Sequence, residues 1–186
     1  MNERLALLFT DIVSSTEVAS RLGDARWREL LERYYARVRH QLQEHEGTEI
    51  GTTGDGFFAT FYDARAAARC ALALEPETAD LPLRTRVGLH VGDCDMRGGQ
   101  PAGINVHLAA LVMSAGEGAS VIVSESCRDV LSGEMFKFES LGRRSLRGIP
   151  GEVHLFRLAP YAGGRALEQM RSPTSLAVGV MEHGGQ

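Results

Sequence analysis

The sequence predicts an α/β (α+β) domain, a mixed, mostly antiparallel sheet with helices packed on it. Three stretches carry that expectation. LALLFTDI at residues 5–12 is an apolar run closing on an acid, as a buried strand does. Residues 48–61 hold two strand-like segments around Gly54-Asp55-Gly56, a tight hairpin by its glycines and apolar flanks. Between them Trp27, Leu30, Leu31, Tyr34, Val38 and Leu42 recur at helical spacing, which predicts a helix with one face on the sheet.

Taken in order, the first strand stops at Asp11 and turns through Ser14, Ser15 and Thr16 toward a helix. That helix restarts after Gly23, with Asp24 placed to cap it, and Gly47 ends the run. Asp63 can cap a third helix, whose Ala67, Cys70, Ala71 and Leu74 share a face before Pro76 stops it. Leu83, Thr85, Val87, Leu89 and Val91 alternate with Arg84, Arg86, Gly88 and His90, which is strand periodicity; a strand histidine without a second one nearby reads as structural. Residues 93–102 read as a glycine-rich polar loop. A helix over 103–114 follows, with Ile104, His107, Leu108 and Leu111 on one face. A short buried strand at 120–123, a helix begun by Ser124 or Ser126 and ending near Gly133, and strands at 136–146 and 153–158 complete the pattern. It fades after Pro160, so residues 1–159 are expected to form one domain and residues 160–186 a flexible extension.

A chain of 186 residues with 44% hydrophobic content can bury one good core. Its net charge of −4 and lack of a dense Lys/Arg tract argue against a nucleic-acid surface. Cys70, Cys94 and Cys127 are odd in number and lack CxxC pairing, which suits a reduced, cytoplasmic setting. No stretch approaches membrane-spanning length, so no membrane partner is expected.

Two acids stand out chemically. A strand ending in Asp11 beside a helix start can hold a cation and the phosphates it neutralises, and Asp55 reaches the same sheet edge if the hairpin pairs beside that strand. Each acid alone has a plainer reading, Asp11 as a helix cap and Asp55 as hairpin-turn chemistry.

FTDIVSST, GTTGDGFFATF, RVGLHVGD, AGINVHLAALV, GASVIVSES and LRGIPGEVHLF occur in one order over residues 5–158. Together they resemble the catalytic domain of the class III adenylyl and guanylyl cyclases, bacterial type, and imply its ferredoxin-like core. The resemblance implies that two divalent cations, Mg²⁺ or Mn²⁺, are held by Asp11, Asp55 and the Ile12 carbonyl. Amides of Val13, Ser14, Ser15 and Thr16 would face the phosphates of a nucleoside triphosphate, and Arg147 would add a basic group. The product would be a 3′,5′-cyclic nucleotide with release of pyrophosphate.

The rest of the implied site departs from the family pattern. Gly51 stands where adenine-selecting members carry Lys, and Gln100 where they carry Asp or Thr. His107 occupies the ribose-orienting position, and Leu111 the position of the arginine that stabilises the transferring phosphoryl group. Weak or absent turnover is therefore expected. The family builds its sites across a head-to-tail dimer, so a homodimer is expected, or a heterodimer with a chain that keeps the arginine. A silent nucleotide-binding module and a purely structural dimerisation domain are the other readings. The TTGDGFF hairpin lacks the Gly-Gly-acid-Glu-Phe run of cyclic-dinucleotide synthases.

Overall fold

The computed structural model describes residues 2–133 and 135–160; the expected extension over 160–186 lies, beyond its first residue, outside them. An eight-stranded sheet carries five helices, in the order β1 (Asn2–Ile12), α1 (Ser15–Leu22), α2 (Asp24–Glu44), β2 (Thr48–Thr53), β3 (Gly56–Phe61), α3 (Ala64–Glu77), β4 (Thr85–Arg97), β5 (Gln100–Ala102), α4 (Ile104–Ser114), β6 (Ser120–Ser124), α5 (Glu125–Val130), β7 (Phe136–Ser145) and β8 (Glu152–Pro160). The strand order is β2-β3-β1-β4-β6-β8-β7, with β5 on β4. Among the described strands, β4 and β6 pair in parallel and the other pairs are antiparallel, as the sequence predicts.

Residue parity along β1 divides the core. Ala6, Leu8 and Ile12 join Leu30, Tyr34, Val38, Ala67, Cys70 and Leu74, so α2 and α3 cover one face of the sheet. Leu5, Leu7 and Phe9 join Phe58, Cys94 and Ala109 on the other, where α4 packs. β4 is buried on both faces from Val87 to Gly92, so the one-sided alternation read from sequence understates how central it is.

Four local readings are corrected. The segment taken as a loop over 93–102 continues β4 to Arg97 and folds back as β5; Arg97 pairs with Gln100 across Gly98-Gly99, whose φ values of 59° and 81° suit a two-residue turn of the I′ kind. Pro76 lies inside the last turn of α3 rather than ending it before that residue. Asp24 is the first residue of α2, with Gly23 at the N-cap position and no side-chain cap. Finally, α5 ends at Val130 rather than near Gly133, while of its two expected starts Ser124 is the cap, its Oγ accepting from the Cys127 amide at 3.4 Å.

Close approach of α4 to β4 depends on Gly88. A Cβ there would lie 2.4 Å from the backbone nitrogen of Met113. Backbone cannot step aside as a side-chain tip can, so Gly88→Ala is expected to push α4 off the sheet and cost about 1–3 kcal/mol. Chemical denaturation checks this; an unchanged midpoint contradicts it.

Candidate functional site

The pairing register brings the two acids to one end of neighbouring strands. Thr10 of β1 lies opposite Phe57 of β3, so Asp11 and Asp55 each follow or precede that pair by a residue or two. Asp55 occupies a two-residue turn closed by Thr53 and Gly56, and Gly54 supplies the positive φ of 68° required at its first position. Ser15, Thr16, Ala19, Trp27, Leu31, Gly54 and Asp55 line a cleft of about 420 Å³. The start of α1 and one carboxylate therefore share a single opening.

The two carboxylates differ in their surroundings. Asp11 lies opposite Arg86 of β4, whose Nε donates to Asp11 Oδ2 at 2.8 Å while Nη2 contacts the same oxygen. Asp55 Oδ2 is buried with no hydrogen-bond partner. The other two such oxygens among the described residues, on Thr85 and Ser120, are hydroxyls. A buried carboxylate oxygen without a donor is costly unless something else supplies positive charge.

That orphaned oxygen is what a cation site would need, and two carboxylates with backbone carbonyls form a hard oxygen set suited to Mg²⁺ or Mn²⁺. No three His, Cys, Asp or Glu side chains gather among the described residues, so the protein would leave coordination positions to water and to phosphate oxygens.

At the start of α1, Ser14 is left-handed with φ 53° and makes no side-chain cap. The Val13 amide donates to the Arg84 carbonyl at 2.8 Å, and the first helical bond runs from the Val18 amide to the Ser14 carbonyl. Of the amides expected to face phosphates, Val13's is thus engaged within the protein, while Ser15 and Thr16 belong to the first turn, where helix amides have no helical acceptor. Glu17 in that turn opposes an anion electrostatically.

The remaining expected residues do not join this end. Asp11 pairs with Arg86, Arg86 with Ser120, and Val121 with Leu158. β8 runs away from that level, so Glu152 lies roughly 20 Å along it from Leu158. Arg147, in the turn before β8, is exposed at the opposite end of the sheet. Gln100 lies with it, beyond the far end of β4. α4 runs antiparallel to β4, because a Cβ on Gly92 would meet Asn105 and one on Gly88 would meet Met113. His107 is exposed and Leu111 half-buried on that helix, while Gly51 sits on edge strand β2 opposite Phe58.

His90 is structural, as expected. Its Nδ1 lies 2.8 Å from Ser124 Oγ and 3.2 Å from Ser126 Oγ, and its Nε2 lies 3.0 Å from Asn105 Oδ1. Asn105 uses its amide nitrogen to donate to the Asp93 carbonyl at 2.8 Å, so its oxygen must accept from Nε2–H, which leaves Nδ1 to accept from Ser124, while the Ser126 hydroxyl donates to the Val91 carbonyl at 2.8 Å. The contact anchors the start of α4 to the sheet.

Burial holds the His90 imidazole below the ordinary 6.5, with Arg4 adding to the effect and the Asn105 bond opposing it. His45 is lowered by burial too. The unfolded chain therefore binds more protons as pH falls, so stability is full above about 6.5, declines as pH drops through that value, and levels off once the folded imidazoles protonate. The denaturant midpoint is expected to fall between about pH 7.5 and about pH 5.5, with His90→Gln removing part of the slope. A wild-type midpoint that is flat over that interval contradicts the assignment.

Arg86, Tyr34 and Tyr35 carry no sequence signal that marks them as site residues. Arg86 faces Asp11 only through strand register, and Tyr34 reads as one more member of the core stripe. Burial pushes the Tyr34 hydroxyl up to about 12, and the negative charges of Asp55 and Asp11 act in the same direction. Tyr35 is raised by burial and then by Asp55, against Arg39.

Residues 1–160 match the adenylate and guanylate cyclase catalytic domain, and the chain belongs to that family. An uncharacterised protein of Mycobacterium tuberculosis is 35% identical over 100 residues, covering 52% of this chain and 35% of that protein. This chain thus spans about a third of the length of such curated relatives. Among solved structures, the adenylyl cyclase CyaB from P. aeruginosa superposes with a TM-score of 0.80 at 21% identity, over 86% of this chain and 95% of that one. The guanylate cyclase domain of RhGC from Catenaria anguillulae, in complex with GTP, gives 0.78 at 16% identity, over 87% and 99%. These likenesses carry the fold. Among the described residues no helix is long and apolar enough to cross a membrane.

Proposed function

We propose that this chain contributes one half of a paired site for a divalent-metal nucleoside triphosphate, and that it converts the triphosphate slowly, if at all, to a 3′,5′-cyclic nucleotide and pyrophosphate. The observation that carries the reading is Asp55 Oδ2, a buried carboxylate oxygen without a donor in a cleft shared with the start of α1. Asp55, Asp11 and the Ile12 carbonyl are the proposed metal ligands, and Mg²⁺ or Mn²⁺ would supply nucleophile activation and charge neutralisation. First-turn amides of Ser15 and Thr16, with Ser14, would orient the terminal phosphates.

Gly51, Gln100, His107, Leu111 and Arg147 are assigned to the partner's half. Two features support a second copy. The register separates Arg147 and Gln100 from Asp11 within one chain, and β1 parity puts Asp11 on the same face of the sheet as α4. Half-buried Leu108 and Leu111 and exposed Ile104 give that helix an apolar surface for the contact. A homodimer would hold two such sites, and a heterodimer with an arginine-bearing chain one complete site.

A silent nucleotide-binding module is the second reading, favoured by Leu111, which cannot stabilise phosphoryl charge. Incubating the protein with each common triphosphate and Mn²⁺, followed by mass spectrometry of the products, separates the two. A cyclic product supports the enzyme; metal-dependent binding without product supports the module, and neither overturns both.

A further inference from the structure

The geometry points to Tyr34 and Tyr35 as positioning residues that set the separation of the two site carboxylates, each tyrosine hydroxyl being bonded to the residue immediately before one of them. This rests on the metal-triphosphate reading above and adds to it residues that touch neither metal nor phosphate. Tyr34 Oη donates to Thr10 Oγ1 at 3.0 Å, directly before Asp11. Tyr35 Oη donates to the Gly54 carbonyl, directly before Asp55.

Adjacent helical residues diverge by about 100°, so neighbouring tyrosines on α2 reach β1 and the β2–β3 turn rather than one point. Thr10 Oγ1 also accepts from the Phe57 amide at 3.1 Å, tying β1 to β3 just beneath the acids. Both rings meet Phe57 edge-on, with centroids 6.4 Å away for Tyr34 and 5.1 Å for Tyr35. Arg39, one turn further along α2, lies over the Tyr35 ring and grips Glu49 of β2 through bonds of 2.8 and 2.9 Å. Helix and hairpin are therefore locked together around the Asp55 turn.

The two acids depend on this lock unequally. Asp11 has Arg86 to hold its carboxylate directly. Asp55 Oδ2 has no partner, so its position follows from the turn, and the turn is tied to α2 through Gly54. Losing a group that orients a metal ligand typically weakens metal affinity about 10–100-fold. Tyr35→Phe is thus the informative variant, and because Tyr35 is half-buried its fold should be disturbed less than that of Tyr34→Phe, which loses a buried hydrogen bond.

The test is Mn²⁺ titration of the whole chain, read from the paramagnetic resonance signal of the free ion, beside amide hydrogen exchange over residues 52–57. Tyr35→Phe is expected to weaken Mn²⁺ binding about tenfold and to speed exchange at the turn while the melting temperature stays close to wild type. Tyr62→Phe, at an exposed site bonded to Glu3, is expected to change neither. Wild-type Mn²⁺ affinity in Tyr35→Phe, or unchanged exchange at the turn, overturns the positioning role alone. A wild-type chain that binds no Mn²⁺ overturns the metal reading and this role with it.

Discussion

Leu111→Arg is expected to raise cyclic-nucleotide formation by about 10³-fold, the lower end of what an arginine contributes to a phosphoryl-transfer transition state. The change is compatible with the fold. Leu111 is half-buried on α4, on the same helix as exposed Ile104 and His107, and arginine is a good helix former. The guanidinium would meet charge that develops on the phosphoryl oxygens during transfer, so the gain belongs in kcat rather than in KM. Single-turnover rates with Mn²⁺ and the preferred triphosphate measure it. An unchanged rate in a folded, dimeric variant shows that the missing arginine is not what limits turnover.

Asp55→Asn is expected to abolish metal-dependent triphosphate binding and, unlike most losses at a site, to leave stability intact or raise it by about 1 kcal/mol. The reason is local. The wild-type Asp55 Oδ2 is buried without a donor, so removing its charge removes a desolvation cost, while asparagine keeps the shape the hairpin turn needs. Asp11→Ala should behave oppositely in stability. It strands the Arg86 guanidinium, only partly exposed, and is expected to cost about 1 kcal/mol, a moderate figure because solvent reaches the pair. Thermal melts beside binding isotherms distinguish the two. Equal destabilisation by both variants contradicts the contrast drawn between the acids.

How much could be read beforehand follows from which residues carry local signals. β1, the β2–β3 hairpin and α2 were legible because apolar periodicity and a glycine-acid turn specify them without reference to the rest of the chain. The β4–β5 hairpin was hidden by Asp93, Asp95 and Arg97, which look like loop residues although they continue β4, Asp93 and Asp95 still opposite β1 and Arg97 beyond it. Gly98-Gly99 between two polar residues was the available clue. Pro76 misled for the opposite reason. Proline is a strong breaker in a helix interior, but the final turn of α3 accommodates it there.

The site was only half legible by the same logic. Asp11 and Asp55 carry their meaning in short motifs, and the family match places them in a cyclase catalytic domain. Arg86 acquires its role through a cross-strand register that joins residues far apart in sequence. Tyr34 and Tyr35 acquire theirs through where two hydroxyls end, and helical spacing records which face a ring occupies but not what its oxygen reaches.

The central claim is that two acids, one at the end of β1 and one in the β2–β3 turn, hold a cation on a triphosphate, and calorimetric titration of a nucleoside triphosphate into the protein, with and without Mn²⁺, addresses it most directly. Binding that requires Mn²⁺ in the wild type and disappears in Asp55→Asn is the predicted result. Binding that is indifferent to Mn²⁺, or that survives unchanged in Asp55→Asn, contradicts it.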